Sequence, residues 1–171
     1  MSATLDRKLQ QAAAALAAGD LARAEALSRE VLERAPRHPR ALQLAASVRL
    51  QQGDGAGAGE LLQRALASDP KNPQLLEGLG AAALKAENFV EAEHWLRRAI
   101  GLGKAGAAAY TWLGLALSAQ GRRPDAVDVF RQAAVVAPDD PGAHLNLGHE
   151  LMRAEEWEEA VTSYERALRL K

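Results

Sequence analysis

The sequence predicts an all-α fold in which five helical hairpins stack one after another. Three observations predict it. The chain repeats itself every 34 residues: Pro36, Pro70 and Pro138 lie 34 and 68 residues apart, and Lys104 fills the one vacant place in that series. A fixed period of this kind marks a repeat architecture. The period also brings like residues into columns, among them Ala24, Ala58, Ala92, Ala126, Ala160 and Val31, Ala65, Ala99, Ala133, Ala167. Within each period, apolar residues recur at helical spacing in two runs separated by a short break, so each repeat reads as two helices.

The repeats run over 5–38, 39–72, 73–106, 107–140 and 141–171. In the first, helices near 4–18 and 21–34 are divided by Gly19-Asp20, and a glycine just past a helix accepts the left-handed conformation that closes the last turn. The second, with helices near 39–52 and 55–68, opens on His38-Pro39, a weak cap, and breaks at Gly53-Asp54. Gly55, Gly57 and Gly59 fall in the first turns of its second helix, where each costs up to about 1 kcal/mol relative to Ala. This is expected to be the weakest hairpin, with faster hydrogen exchange over 54–62 than over 157–165.

The third repeat, with helices near 73–86 and 89–101, opens on Asn72-Pro73, a side-chain cap followed by proline at the first helical position. Its break, Glu87-Asn88, has no glycine. The fourth has helices near 107–120 and 123–136 around Gly121-Arg122. The fifth opens on Asp140-Pro141 and has helices near 141–154 and 157–170, again without glycine at its break, Glu155-Glu156. The acidic cluster Glu155, Glu156, Glu158 and Glu159 stands at a helix start, where negative charge suits the helix dipole. Small residues at Ala12, Ala46, Gly80, Gly114 and Gly148 predict close approach of the two helices in a hairpin, with Leu79, Leu113, Leu147, Phe130 and Tyr164 filling the seams.

Composition narrows the function classes. The 171 residues are 48% hydrophobic but only 4% aromatic, so much of the apolar content is Ala and Leu, as close helix packing requires. A net charge of −1, with Arg97-Arg98 and Arg122-Arg123 as pairs and not patches, argues against a nucleic-acid surface. The absence of cysteine leaves no disulfide or thiolate metal site and is compatible with a cytoplasmic location. The Ala12–Ala18 run follows Asp6, Arg7 and Lys8 and reads as helix, and no stretch approaches the roughly 20 apolar residues that insertion into a membrane needs. No cofactor, metal or catalytic residue is expected. His144 and His149 are five apart and face different ways on a helix, and Gly53, Gly55, Gly57 and Gly59 lack the strand and Lys-Ser/Thr of a phosphate loop.

Taken together these residues resemble the tetratricopeptide repeat family. The resemblance rests on Tyr110, Leu113-Gly114, Leu117, Ala126, Phe130, Ala133 and Pro138, and again on Leu147-Gly148, Leu151, Ala160, Tyr164 and Ala167. It covers residues 5–171, and the first repeat departs most, with Gln11, Ala15 and Ser28 at positions that are usually larger. It implies a right-handed superhelical solenoid of five antiparallel helix-turn-helix hairpins forming one domain over 1–171, with a concave groove lined by the first helices, where protein or peptide partners bind. By repeat register that groove comprises Leu9, Gln43, Leu44, Ser47, Leu50, Glu77, Ala81, Leu84, Thr111, Trp112, Leu115, Asn146, His149 and Met152. Its apolar character suits an amphipathic helix or an extended hydrophobic segment, with Trp112 as the anchor.

Two specialised forms of the family do not fit. The carboxylate-gripping set of co-chaperone repeats is replaced by Leu9, Ala13, Leu44, Gln74 and Gly78, and of an asparagine ladder only Asn146 is present. The expected function is that of a non-catalytic protein-binding scaffold. One alternative is the recruiting arm of a larger enzyme of the sulfotransferase, glycosyltransferase or hydroxylase kind, by analogy with bacterial Ala/Arg-rich repeats. The other is a self-assembly module. With no polar capping helix before Lys171, a fragment of a longer protein is expected, whose edge residues Val161, Tyr164 and Leu168 are exposed and available for association.

Overall fold

Ten α-helices, and no strand, make up the regular structure among the residues that the computed structural model describes, 2–103 and 105–170. Lys104 and Lys171 lie outside the described residues. The helices are α1 (Ser2–Ala17), α2 (Leu21–Arg34), α3 (Pro39–Gln51), α4 (Gly55–Leu66), α5 (Pro73–Lys85), α6 (Phe89–Gly101), α7 (Ala107–Ala119), α8 (Arg123–Val136), α9 (Pro141–Arg153) and α10 (Trp157–Arg169). Each lies within two residues of its expected ends.

The chain forms two compact units, Met1–Glu87 and Asn88–Lys171, and the boundary falls inside the third repeat. In the first unit each of α1 to α5 packs on the next, and α1 also meets α3 and α3 meets α5. In the second unit α6 to α10 do the same in order, and α7 also meets α9.

The breaks close as glycine chemistry dictates. Gly19, Gly53 and Gly121 have φ of 77°, 88° and 77°. The next N–H then reaches back into the last turn of the helix: Asp20 donates to Ala15 O at 2.9 Å, Asp54 to Arg49 O at 2.9 Å and Arg122 to Leu117 O at 3.0 Å. At the two breaks without glycine the same conformation is forced on glutamate, with φ of 59° at Glu87 and 64° at Glu155. Glu156 N nonetheless closes on Leu151 O at 2.9 Å, so the helix geometry prevails over the residue's preference. The caps stand where expected: Asn72 accepts from Leu75 N at 3.1 Å, Asp140 from Gly142 N at 2.8 Å, and His38 Nδ1 from Ala41 N at a longer 3.4 Å.

The two small columns are buried without exception, from Ala24 and Val31 through Ala160 and Ala167. The mid-helix glycines are places of contact. A Cβ on Gly114 would stand 2.7 Å from the Phe130 ring, and one on Gly148 would stand 2.8 Å from the Tyr164 ring. Ser28, one of the undersized residues of the first repeat, is fully buried and donates its hydroxyl to Ala24 O at 2.7 Å, so no polar group is left unpaired there.

Candidate functional site

Contacts between alternate helices run only through the first helices of the hairpins, α1 to α3 to α5 in one unit and α7 to α9 in the other, among the described residues. Within each unit the first helices therefore approach one another more closely than the second helices do and form a shared wall.

In the first unit this wall presents Gln43, Leu44, Ser47, Leu50, Glu77, Ala81 and Leu84, all half-buried. Leu44 also packs on a core cluster of Leu9, Val31 and Ala41. Leu9 itself corrects the expected groove: it is only 1% exposed and belongs to that core. The cause is local. Val31 is the one branched residue in a column otherwise of alanine, and Leu9 and Leu5 fold down on it.

In the second unit Thr111, Trp112 and Asn146 are half-buried, His149 is exposed, and Leu115 and Met152 keep 44% and 41% of their surface in solvent. A pocket of about 320 Å³ opens between α7 and α9, lined by Leu115, Ser118, Ala119, Asn146, His149, Glu150 and Arg153, with Phe130 of α8 at its back. Glu150 and Arg153 were not part of the sequence-derived set, whereas Ser118 falls on the first-helix face by register with Leu50 and Leu84. The three are linked: Ser118 Oγ donates to Glu150 Oε2 at 2.8 Å, and Arg153 Nη1 lies 3.8 Å from the same oxygen. The signal that would have found Glu150 is the repeat itself, because it shares a column with Val48, Ala82 and Ala116.

The histidines have ordinary structural company. His149 meets the Tyr164 ring edge-on, 5.6 Å between centroids, and His144 Nε2 lies 2.9 Å from Pro138 O. Tyr164 corrects a second expectation, since its ring is half-buried over Gly148 and His149 and does not stand free at the outer edge. Val161 and Leu168 do stand free, at 54% and 70% exposure.

The second helices carry ion-pair networks. Arg131 of α8 spans to α10, donating to Glu159 Oε1 at 2.9 Å and to Glu156 Oε2 at 2.8 Å. Its hydrogen bond holds the Glu159 carboxyl below the usual carboxylate range, and Glu159 in turn raises Arg131. Two of the four clustered glutamates are thus paired across helices. At Glu93, burial pushes the carboxyl up, but hydrogen bonds from Arg97, Gln120 and Arg122 outweigh it and leave the group below its ordinary value. No helix among the described residues is long and apolar enough to cross a membrane.

Family models described as tetratricopeptide repeat match residues 9–73, 49–111, 107–150 and 141–171. No curated protein sequence matches the chain. Solved structures share its fold. A crystal structure of MamA has a TM-score of 0.80 and 23% identity over 93% of each chain. PilF of Pseudomonas aeruginosa has a TM-score of 0.89 and 22% identity, covering 99% of this chain and 78% of its own. TTC0263, a thermophilic TPR protein of Thermus thermophilus, has a TM-score of 0.80 and 21% identity, covering 97% of this chain and 91% of its own. At such identities the likeness is one of fold alone.

Proposed function

From the premise that this chain belongs to the tetratricopeptide repeat family, we propose that it is a non-catalytic scaffold whose first-helix wall binds a segment of another protein. The observation that carries this reading is the chemistry of the wall in the second unit. Leu115 and Met152 are large, apolar and over two-fifths exposed, beside half-buried Trp112 and a pocket rimmed with polar groups. Apolar anchors with a few polar groups to fix register are what a bound helix or extended segment uses.

The test is calorimetric titration of a segment selected from a random-peptide display library on the immobilised chain. Trp112→Ala is expected to weaken it by about 1–3 kcal/mol with helicity intact, and Arg98→Ala, on a second helix, by much less. Equal affinities for wild type and Trp112→Ala remove Trp112 from the site.

A second reading, self-association, is favoured by the outer stripe of α10. Val127, one period before Val161, is 1% exposed where α9 packs on α8, whereas Val161 is 54% exposed and Leu168 70%. A second copy of this chain docking on that stripe would gain roughly 25 cal/mol per Å² of apolar surface, opposed by the entropy of docking. Sedimentation of wild type against the Val161→Glu, Leu168→Glu double variant reads it. A strictly monomeric wild type at high concentration removes the contact.

A further inference from the structure

Glu150 breaks the rule of its column. One, two and three periods earlier stand Ala116, Ala82 and Val48, exposed by 0%, 1% and 1%, and Glu150 is buried almost as deeply, at 3%. Ser118 breaks another column, which otherwise holds Leu16, Leu50, Leu84 and Met152. The two departures meet in space, where the Ser118 hydroxyl donates to Glu150 Oε2 at 2.8 Å.

That bond satisfies only half of the carboxyl group. Glu150 Oε1 is buried with no hydrogen-bond partner among the described residues. Arg153 does not complete it: its Nη1 is 3.8 Å from the other oxygen, beyond hydrogen-bond reach, and its side chain is 67% exposed. Folding alone would be better served by an apolar pair at these positions, as in the preceding repeats, because a buried polar atom without a partner is costly. Both residues line the pocket between α7 and α9, on the wall that carries Leu115 and Asn146.

We propose that this pocket is a subsite for a cationic side chain, a lysine ammonium or an arginine guanidinium, of the segment bound along α7 and α9. The Glu150 carboxyl, which lines the pocket and is only half satisfied by Ser118, is the acceptor for the cation, and Leu115 packs against the cation's methylene stem, since long cationic side chains bury their stems on apolar surface. Asn146 and His149 at the rim offer polar contacts to the segment's backbone. Arg153 is the like charge that an incoming cation displaces toward solvent. The inference deepens the reading of the first-helix wall and rests on it.

The test titrates the whole chain with N-acetyl-lysine methylamide and with its uncharged isostere N-acetyl-norleucine methylamide, followed by backbone amide NMR shifts. The lysine probe is expected to give saturable shifts over residues 115–119 and 146–153, with the norleucine probe at least about tenfold weaker. Glu150→Ala, the residue type of two preceding repeats, and Glu150→Gln, which keeps the shape, are both expected to lose the lysine response. Arg153→Ala is expected to strengthen it by about threefold or more. Equal response to the two probes, or a lysine response that survives both Glu150 variants, overturns the proposal. So does the absence of any saturable shift. The probes need no partner protein, so their failure is distinct from failure of the wall, which Trp112→Ala reads.

Discussion

Gly55 lies so close to Ala82 that a Cβ on it would stand 2.6 Å from the Ala82 carbonyl oxygen and 2.7 Å from Ala86 N. The start of α4 therefore packs directly on the backbone at the end of α5, and only glycine permits it. Gly59, one helical turn on, has nothing within 4 Å of a Cβ. The glycines of α4 that looked alike in sequence should then behave oppositely. Gly55→Ala is expected to destabilise by about 1–3 kcal/mol through overpacking, and Gly59→Ala to stabilise by up to about 1 kcal/mol through helix propensity. Urea denaturation of the two variants reads the sign directly, and matching signs would refute the packing argument.

Glu87 and Glu155 stand where the other breaks have glycine, with φ of 59° and 64°. Replacing either by glycine removes the left-handed penalty, so Glu87→Gly and Glu155→Gly are each expected to stabilise by about 1 kcal/mol. Gly121→Ala, at φ 77° with no atom near its would-be Cβ, is expected to lose a similar amount by backbone strain alone. Thermal melts of the three variants check this.

Arg131 ties α8 to α10 through Glu159 and Glu156. The Glu159 carboxyl is held below its ordinary value of 4.5, so its contribution is present above that pH and is lost as pH falls through the depressed folded value. The stability gap between wild type and Arg131→Gln should accordingly be constant near neutral pH and narrow on acidification below about 4.5. Because these side chains are substantially exposed, the gap should be small and should shrink with added salt. A gap that widens in acid contradicts the assignment.

The hairpins were legible because their signals are local and repeated. Gly19, Gly53 and Gly121 stop helices, Asn72-Pro73 and Asp140-Pro141 start them, and the Ala columns pack. Even the glutamates at 87 and 155 could be placed, since the period fixed what their own preferences would not. Register fails where a neighbour's size changes. Leu9 occupies a groove position by count but is drawn into the core by Val31; Tyr164, by contrast, sits on Gly148 as its register with Phe130 on Gly114 requires, and it is the expectation of a free edge position that fails. Glu150 could be found only by asking which residue violates its column, and its unsatisfied oxygen depends on a side-chain arrangement that spacing does not encode.

Hydrogen-exchange footprinting of the chain with a display-selected segment bound tests the central claim most directly. The account predicts added protection on the first helices, greatest over 111–119 and 145–153 around Trp112, Leu115 and Glu150, and little change over the outer stripe of α10. Protection confined to the second helices α8 and α10, with 111–119 and 145–153 unchanged, would contradict it.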